Sequence, residues 1–211
     1  MSDETAAVVA LVTFIVGATA GAAWRMWWQW RRTGSTGFKG LGGSVGSAEW
    51  FGGLGFVLGV LVSFAAPVLQ LAGVVAPVVR SPWLVLVGIV LALVGIIGTV
   101  YAQLVMGSSW RIGVSENERT TLVREGVFGL VRNPIYVAMF VFWLGGTLIA
   151  PNIVAIVGYV LLVVSIEVQV RLVEEPHLLK VHGSSYREYA GTVGRFVPGV
   201  GLRLGRTPPR T

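Results

Sequence analysis

The sequence of 211 residues contains no cysteine and only two histidines, His177 and His182. Without cysteine, the protein has no disulfide bonds, no thiolate nucleophile and no cysteine-ligated metal. Two histidines are too few for a metal site built from histidine alone. We therefore predict that the protein holds no metal ion.

Charged residues are also scarce, at 12% of the chain, whereas soluble domains typically carry about 25%. Hydrophobic residues make up 54%, and the mean hydropathy is +0.75. A soluble core of this size cannot accommodate so much apolar side chain, but a lipid bilayer can. The net charge is +6. Because the basic residues lie in loops and tail, we expect anionic lipid headgroups as their partners and no nucleic acid.

Five apolar stretches cover approximately residues 6–23, 50–79, 82–106, 134–150 and 153–170. Spanning a bilayer takes about 20 mostly apolar residues, and backbone hydrogen bonds must close within each segment. The runs are continuously apolar instead of alternating, which favours helices over barrel strands. The sequence therefore predicts an all-α integral membrane bundle with about five transmembrane helices. Pro67 and Pro77 predict a kink or an early end in the second span.

The basic residues fix the predicted orientation. Fifteen of the 16 lysines and arginines follow the first, third or fifth span, and only Arg80 falls on the other side. By the positive-inside rule, the N-terminus is then outside and the C-terminus cytoplasmic. We interpret the first span as an uncleaved anchor ending in a tryptophan- and arginine-rich interfacial belt, residues 24–32. Scarce lysine beside abundant glycine, valine and arginine suggests a bacterial inner membrane.

Polarity divides the chain into three regions. Residues 1–105 hold the first three spans and a Gly/Ser-rich loop, which lacks the full spacing of a nucleotide-binding glycine motif. Residues 106–198 hold the last two spans and most polar residues, so we expect the active site there. A helix broken at Gly183 and a second short helix form a predicted cap over the cytoplasmic mouth. Residues 199–211 form a basic tail.

The fourth span is predicted to begin at Pro134, with Asn133 as its N-cap. The free N–H groups of this helix start form an anion site at the membrane surface, and Arg132 adds positive charge. Tyr136 offers an aromatic face and a hydroxyl in the first turn. The alternative is a well-capped helix without a ligand.

Charged residues cluster at the end of the fifth span. Arg171 shares a helix face with Glu174 and Glu175, which predicts either a solvated ion pair or a carboxylate that binds a ribose or a cation. Glu167 lies inside an apolar run, four residues before Arg171, and either pairs with it or serves function. Gln103 in the third span poses the same choice, and there the structural role is favoured.

These features occur in a familiar order. Three motifs follow one another along the chain: Gly126-Val127-Phe128-Gly129-Leu130-Val131-Arg132-Asn133-Pro134-Ile135-Tyr136, then Glu174-Glu175 with Leu178, Gly183, Tyr186 and Tyr189, then Arg195-Phe196-Val197-Pro198. The stretch of roughly residues 106–198 resembles the isoprenylcysteine carboxyl methyltransferase family and the related phospholipid N-methyltransferases. The resemblance implies a membrane-embedded enzyme that uses S-adenosylmethionine and releases S-adenosylhomocysteine.

The resemblance also implies site residues. With Arg132 added from its position, the predicted cofactor-binding set is Thr120, Thr121, Leu122, Val123, Phe128, Arg132, Asn133, Pro134, Ile135, Tyr136 and Glu174. Asn133 replaces the family's usual histidine, and Phe128 its usual tyrosine. The family's substrate-carboxylate arginine falls at Val170 here, one residue before Arg171.

The predicted catalytic residues are Arg171, Glu167 and Glu175. Arg171 would hold a substrate carboxylate, and Glu167 or Glu175 would act as base if the nucleophile is a hydroxyl or a protonated amine. The substrate is predicted to be a lipophilic molecule or lipid that enters between helices.

Two rival functions remain open. One is an NADPH-dependent membrane reductase of sterol-like lipids, and the other is a non-enzymatic membrane scaffold. The sequence leaves the acceptor open among isoprenoid, fatty acyl and phospholipid molecules, and it leaves open O-, N- or S-methylation and the oligomeric state.

Overall fold

The structure is a computed structural model that describes residues 1–34, 36, 43–107 and 121–202. The described residues form helices and connecting turns, with one isolated β-bridge between Val131 and Gly194. The α-helices are α1 (Asp3–Ala18), α2 (Trp24–Thr33), α3 (Ala48–Leu71), α4 (Pro82–Met106), α5 (Pro134–Ile149), α6 (Ile153–Val168), α7 (Glu175–His182) and α8 (Ser184–Thr192). The predicted all-α class is confirmed.

Two short π-helical segments join neighbouring helices into longer rods. Thr19–Ala23 connects α1 to α2, and Gln169–Glu174 connects α6 to α7. Within the described ranges, four helices are long and apolar enough to cross a membrane: Asp3–Arg31, Ala48–Leu71, Pro82–Met106 and Ile153–His182. The fourth predicted span, α5, is apolar but has only 16 residues. At 1.5 Å per residue it measures about 24 Å, less than the hydrocarbon thickness of about 30 Å.

The second predicted span is shorter than its apolar run suggests. Helix α3 begins after Ser47, whose side chain accepts a hydrogen bond from the Trp50 N–H, and it ends at Leu71 instead of residue 79. Pro67 lies inside the helix, and Gly73 follows its end with a φ of 71°. A left-handed glycine is a common helix terminator, so the chain turns well before Pro77.

Close backbone contacts hold the helices in two pairs, α4 with α5 and α3 with α6. A Cβ built on Gly145 would lie 2.5 Å from the Ala92 nitrogen, and one built on Gly158 would lie 2.8 Å from the Ser63 nitrogen. Only glycine permits such approach at these positions. Small residues at helix crossings are the usual means by which helices associate in lipid, where a hydrophobic driving force between them is absent.

An aromatic cluster fills the centre between the pairs. The Phe14 ring centroid lies 5.0 Å from that of Trp143, and the Phe142 and Trp143 centroids lie 5.1 Å apart. The outer faces of the long helices carry exposed aliphatic side chains, among them Val12, Leu61, Leu93, Ile97, Val160 and Val164. An apolar surface of this extent fits contact with lipid.

The helix directions define two ends of the bundle. At one end, Arg80 pairs with Asp3, and the Gln70 side chain links the Asp3 carbonyl to Asn152. The opposite end holds the C-terminal end of α4, the start of α5, and α7 and α8. Apart from Arg80, the basic residues in the described ranges lie toward this second end. Which end faces the cytoplasm stays a prediction.

Candidate active site

The turn that leads into α5 is held by the chain that follows α8. Helix α5 starts at Pro134 as predicted, because proline has no N–H to lose and its φ suits the first helical position. Asn133 occupies the N-cap position as predicted, but its side chain makes no capping hydrogen bond. Its Nδ2 donates instead to the Arg195 carbonyl at 3.2 Å. The Asn133 amide therefore ties the start of α5 to the segment after α8.

Tyr136 and Glu174 meet at this end of the bundle. The Tyr136 hydroxyl donates to Glu174 Oε1 at 2.5 Å, although 38 residues separate the two in the sequence. Tyr136 lies in the first turn of α5, and Glu174 is the last residue of the π-helical segment Gln169–Glu174. π-Helical turns in membrane and soluble helices are frequent at functional sites. The structure thus brings together two predicted cofactor-binding residues.

Arg171 does not pair with Glu174 or Glu175 as its spacing predicts. It forms its ion pair with Glu167, and the side chains of the two are 54% and 33% exposed. The π-helical segment offsets the faces of α6 and α7, so that a spacing count for a regular α-helix does not apply here. Val170, where the resemblance would place a substrate-binding arginine, is fully buried. Neither Arg171 nor Glu167 is among the described residues that line the cavity.

Glu175 lies in a buried ion-pair network. Arg132 Nη2 donates to its Oε1 at 2.7 Å, while Arg195 donates to both carboxylate oxygens, at 2.7 and 2.8 Å. The hydrogen bond to Glu175 raises the pKa of the Arg195 guanidinium. Arg132 also donates to the carbonyls of Ala190, Val193 and Gly201. The network joins the start of α5, α7 and the segment after α8.

The C-terminal cap packs on the segment before α5. The predicted break is confirmed at Gly183, which has a φ of 54° between α7 and α8. The Tyr189 hydroxyl donates to the Phe128 carbonyl at 2.6 Å, and burial raises the pKa of Tyr189 to about 12. Leu122 packs against Tyr186 and Tyr189. The hydroxyl therefore remains a donor over the physiological range and fixes α8 over residues 121–129.

A cavity of about 600 Å³ runs from this polar end into the apolar bundle. The predicted cofactor residues that line it are Thr121, Leu122, Val123, Phe128, Arg132, Asn133, Pro134, Ile135, Tyr136 and Glu174. Thr120 lies outside the described residues. The deeper walls are formed by Phe14, Phe56, Val60, Phe64, Ile96, Met139, Phe142 and Trp143. One cavity thus joins a polar compartment to an apolar one.

Several lining residues lie outside the predicted site set. They include Glu49 in the first turn of α3, Gln169 in the π-helical segment, and His177 and His182 on α7. Gln103 also lines the cavity, and its Nε2 donates to the Gly21 carbonyl at 2.7 Å, which links α4 to the π-helical segment Thr19–Ala23. Glu49 follows the pattern of an ordinary helix start, an acidic residue after a serine cap. Only the fold shows that it reaches the cavity.

Comparison with known proteins identifies relatives. The family model described as phospholipid methyltransferase matches residues 83–185. The protein-S-isoprenylcysteine O-methyltransferase of Xenopus laevis is 31% identical over 121 residues, which cover 55% of this chain and 41% of the relative. The solved structure of the eukaryotic intramembrane Ras methyltransferase ICMT (isoprenylcysteine carboxyl methyltransferase) is 24% identical, with a TM-score of 0.52.

Over residues 83–185 the chain is thus similar to methyltransferases that act on isoprenylcysteine or phospholipids. The structural likeness covers 72% of this chain and 53% of the solved chain, and it shows that the helical bundle has the ICMT-like membrane fold. This chain spans about half the length of the relatives it matches. The family match covers α4 to α7 and the start of α8, whereas α1, α2 and α3 lie outside it.

Proposed function

We propose that this protein is a membrane-embedded methyltransferase that uses S-adenosylmethionine to methylate a lipophilic acceptor, with its active site at the cytoplasmic end of the bundle. The observation that carries the proposal is the single cavity that joins Tyr136 and Glu174 to the apolar interior. A charged cofactor and a lipid tail need two such environments in contact. The relatives, an isoprenylcysteine O-methyltransferase and a phospholipid methyltransferase family, support the same activity.

The polar compartment fits S-adenosylmethionine by its chemistry. The Tyr136 ring offers an aromatic face for a sulfonium, and Glu174 offers carboxylate oxygens for a ribose or an amine. The N-terminus of α5 suits the methionine carboxylate. Leu122, Leu178 and Tyr186 supply apolar and aromatic surface for adenine. When bound, the cofactor supplies an electrophilic methyl group.

We assign Arg132 and Glu175 a positioning role. The Nη1 and Nη2 atoms of Arg132 donate to Glu175 and to three carbonyls, so we assign this arginine to the wall of the cofactor compartment. Glu175 accepts from two guanidinium groups, which stabilise its charged form and make it a poor base. Glu167 and Arg171 form a pair at the surface and contribute to neither compartment.

The deep compartment suits the tail of a prenyl or acyl lipid, since aromatic and aliphatic side chains surround it. Its polar headgroup would then lie at the level of Tyr136. Methyl transfer needs no metal, and catalysis can come from alignment of the two substrates and exclusion of water. The tight packing of α4 on α5 provides the rigid wall that such alignment requires.

Ligand-dependent thermal stability tests the proposal. The purified full chain is titrated with S-adenosylhomocysteine and, separately, with NADPH, which an alternative lipid reductase would bind. A ligand that binds only the folded state stabilises it by about 2.7 kcal/mol at a hundredfold excess over Kd. We expect this gain with S-adenosylhomocysteine and its loss in Glu174→Ala.

Glu188→Ala is the matched control, because Glu188 is an exposed carboxylate on α8 and does not line the cavity. This variant should respond as the wild type does. Stabilisation by NADPH alone, or an unchanged response to S-adenosylhomocysteine in Glu174→Ala, would refute the assignment.

A further inference from the structure

The segment that follows α8 ends in an exposed apolar stretch, residues 196–202, which we call the apolar loop. Its sequence is Phe-Val-Pro-Gly-Val-Gly-Leu, without a polar side chain. Val197 is 55% exposed, Val200 60% and Leu202 37%. Exposed apolar patches on proteins commonly mark a surface that contacts a membrane or another protein. The apolar loop therefore requires a partner.

The chain enters the apolar loop in the direction that α5 takes. The β-bridge between Val131 and Gly194 is parallel. The Arg132 N–H donates to the Gly194 carbonyl at 2.8 Å, and the Asn133 N–H donates to the Arg195 carbonyl at 3.2 Å. Because parallel segments advance together, the residues after Gly194 run alongside the turn into α5 and continue in the direction of the bundle.

A ring contact shows how far the apolar loop reaches along α5. The ring centroids of Phe196 and Phe140 lie 5.4 Å apart. Phe140 follows Pro134, the first residue of α5, by about 9 Å along the helix axis. Helix α5 is apolar and, at about 24 Å, shorter than the hydrocarbon region of a bilayer is thick. Phe196 therefore lies beside the apolar part of this helix, at the depth where lipid tails meet headgroups.

Hydrogen bonds within the protein close the apolar loop into a tight turn. The Arg195 N–H donates to the Val200 carbonyl at 2.8 Å, and the Val200 N–H donates to the Val197 carbonyl at 3.0 Å. The Gly201 carbonyl accepts from Arg132 at 3.0 Å. Irregular backbone is tolerated at membrane depth only where its polar groups are paired inside the protein. These pairs lower the cost of placing the turn in lipid.

We propose that the apolar loop inserts into the bilayer at the active-site end of the bundle and contacts lipid tails just below the headgroups. Lipid is favoured over a second protein chain by continuity, since Phe196 packs on a helix of the membrane bundle and the exposed valines extend its apolar outer surface. Arg195, at the base of the loop, donates to both oxygens of Glu175. The inserted loop thus fixes α7 and α8 relative to the membrane, whatever reaction the protein catalyses.

Site-specific fluorescence in liposomes tests the insertion. Because the chain has no cysteine, one introduced cysteine gives a unique site for a dye. Val197→Cys and Val200→Cys, one on each arm of the turn, are labelled with the environment-sensitive dye NBD in the full chain and reconstituted into phosphatidylcholine liposomes. A lipid with a nitroxide near the headgroup end of its acyl chain quenches a dye in the bilayer, and iodide quenches a dye in water.

Two further positions calibrate the quenching. Ser185→Cys is the control at the same end of the bundle, because Ser185 is exposed in the first turn of α8. Leu93→Cys is the reference for lipid contact, because Leu93 is 53% exposed on α4. We expect nitroxide quenching at both loop positions to exceed that at Ser185 about twofold or more, as for side chains buried in the headgroup boundary. Iodide should quench the Ser185 label more strongly than either loop label.

Two results would overturn the inference. Iodide quenching at the loop positions equal to that at Ser185 would place the apolar loop in water. Protection of the loop labels from both quenchers would show that a second copy of the chain, and not lipid, covers the loop. Two loop positions keep the test decisive if one substitution lowers the melting temperature of the chain. No ligand enters the measurement, so its outcome is independent of the proposed methyltransferase function.

Discussion

The two ends of the bundle each contain an arginine–carboxylate pair of nearly the same length, yet the pairs differ in environment. Arg80 Nη2 lies 2.8 Å from Asp3, with the two side chains 66% and 39% exposed. Arg132 Nη2 lies 2.7 Å from Glu175, and both side chains are 2% exposed. Exposed pairs contribute little to stability, whereas breaking a buried pair leaves an uncompensated charge. The distance between the charged atoms alone therefore does not predict how much an ion pair contributes to stability.

The two ion pairs differ in exposure because they connect different segments of the chain. The Arg80 pair links the start of α1 to the connection between α3 and α4, where water solvates both groups. The Arg132 pair joins α5 to α7 and, through Arg195 and the carbonyl of Gly201, to the C-terminal segment. These segments form the polar compartment of the cavity. We therefore expect stability and ligand binding to be coupled at this end of the bundle.

The largest effect is expected for Glu175→Gln. The change leaves Arg132 and Arg195 without their carboxylate in a buried site, which costs about 3–5 kcal/mol of unfolding free energy. The melting temperature in detergent should fall, and the binding of S-adenosylhomocysteine should weaken. Glu188→Gln, at an exposed carboxylate, is the control. A Glu175→Gln variant as stable as the wild type would show that the network does not hold the C-terminal segment.

An intermediate effect is expected for Tyr136→Phe, which removes the hydroxyl bonded to Glu174 and keeps the ring. Loss of one hydrogen bond to a charged group is worth about 1.5–3 kcal/mol, so the Kd for S-adenosylhomocysteine should rise by about tenfold or more. Calorimetry measures this change. Tyr101→Phe is the matched control, because Tyr101 is exposed on α4 and does not line the cavity. Equal affinities of the two variants for S-adenosylhomocysteine would show that the Tyr136 hydroxyl does not contribute to cofactor binding.

The smallest effect is expected for Arg80→Gln. Both members of this pair are solvated and screened by salt, so the melting temperature should change little and ligand binding not at all. A double-mutant cycle with Asp3→Asn should give a coupling energy near zero at physiological salt. A loss comparable to that of Glu175→Gln would erase the contrast between the two ends.

Local sequence features predicted the helices well and their polar contacts poorly. Pro134 and Gly183 mark helix boundaries as expected, since proline and glycine constrain the backbone at their own positions. Asn133 takes the predicted N-cap position, but its side-chain amide donates to the Arg195 carbonyl and makes no capping hydrogen bond. The pairing of Arg171 failed because the π-helical segment changes the faces and because Glu175 binds arginines from elsewhere. A polar side chain can pair with any donor or acceptor that the fold places within hydrogen-bond distance, whatever their separation in the sequence.

The sequence by itself determined the membrane class and most of the helical spans, because apolar runs and helix-start signals act over a few neighbouring residues. Most residues of the polar compartment were predicted from the resemblance to known methyltransferases. Only the tertiary structure decided the environment and the partners of each carboxylate. Glu167 faces the surface, Glu174 meets Tyr136, Glu175 is enclosed by two arginines, and Glu49 reaches the cavity. Burial and long-range contacts cause these differences, and the spacing of residues along one helix predicts neither of them.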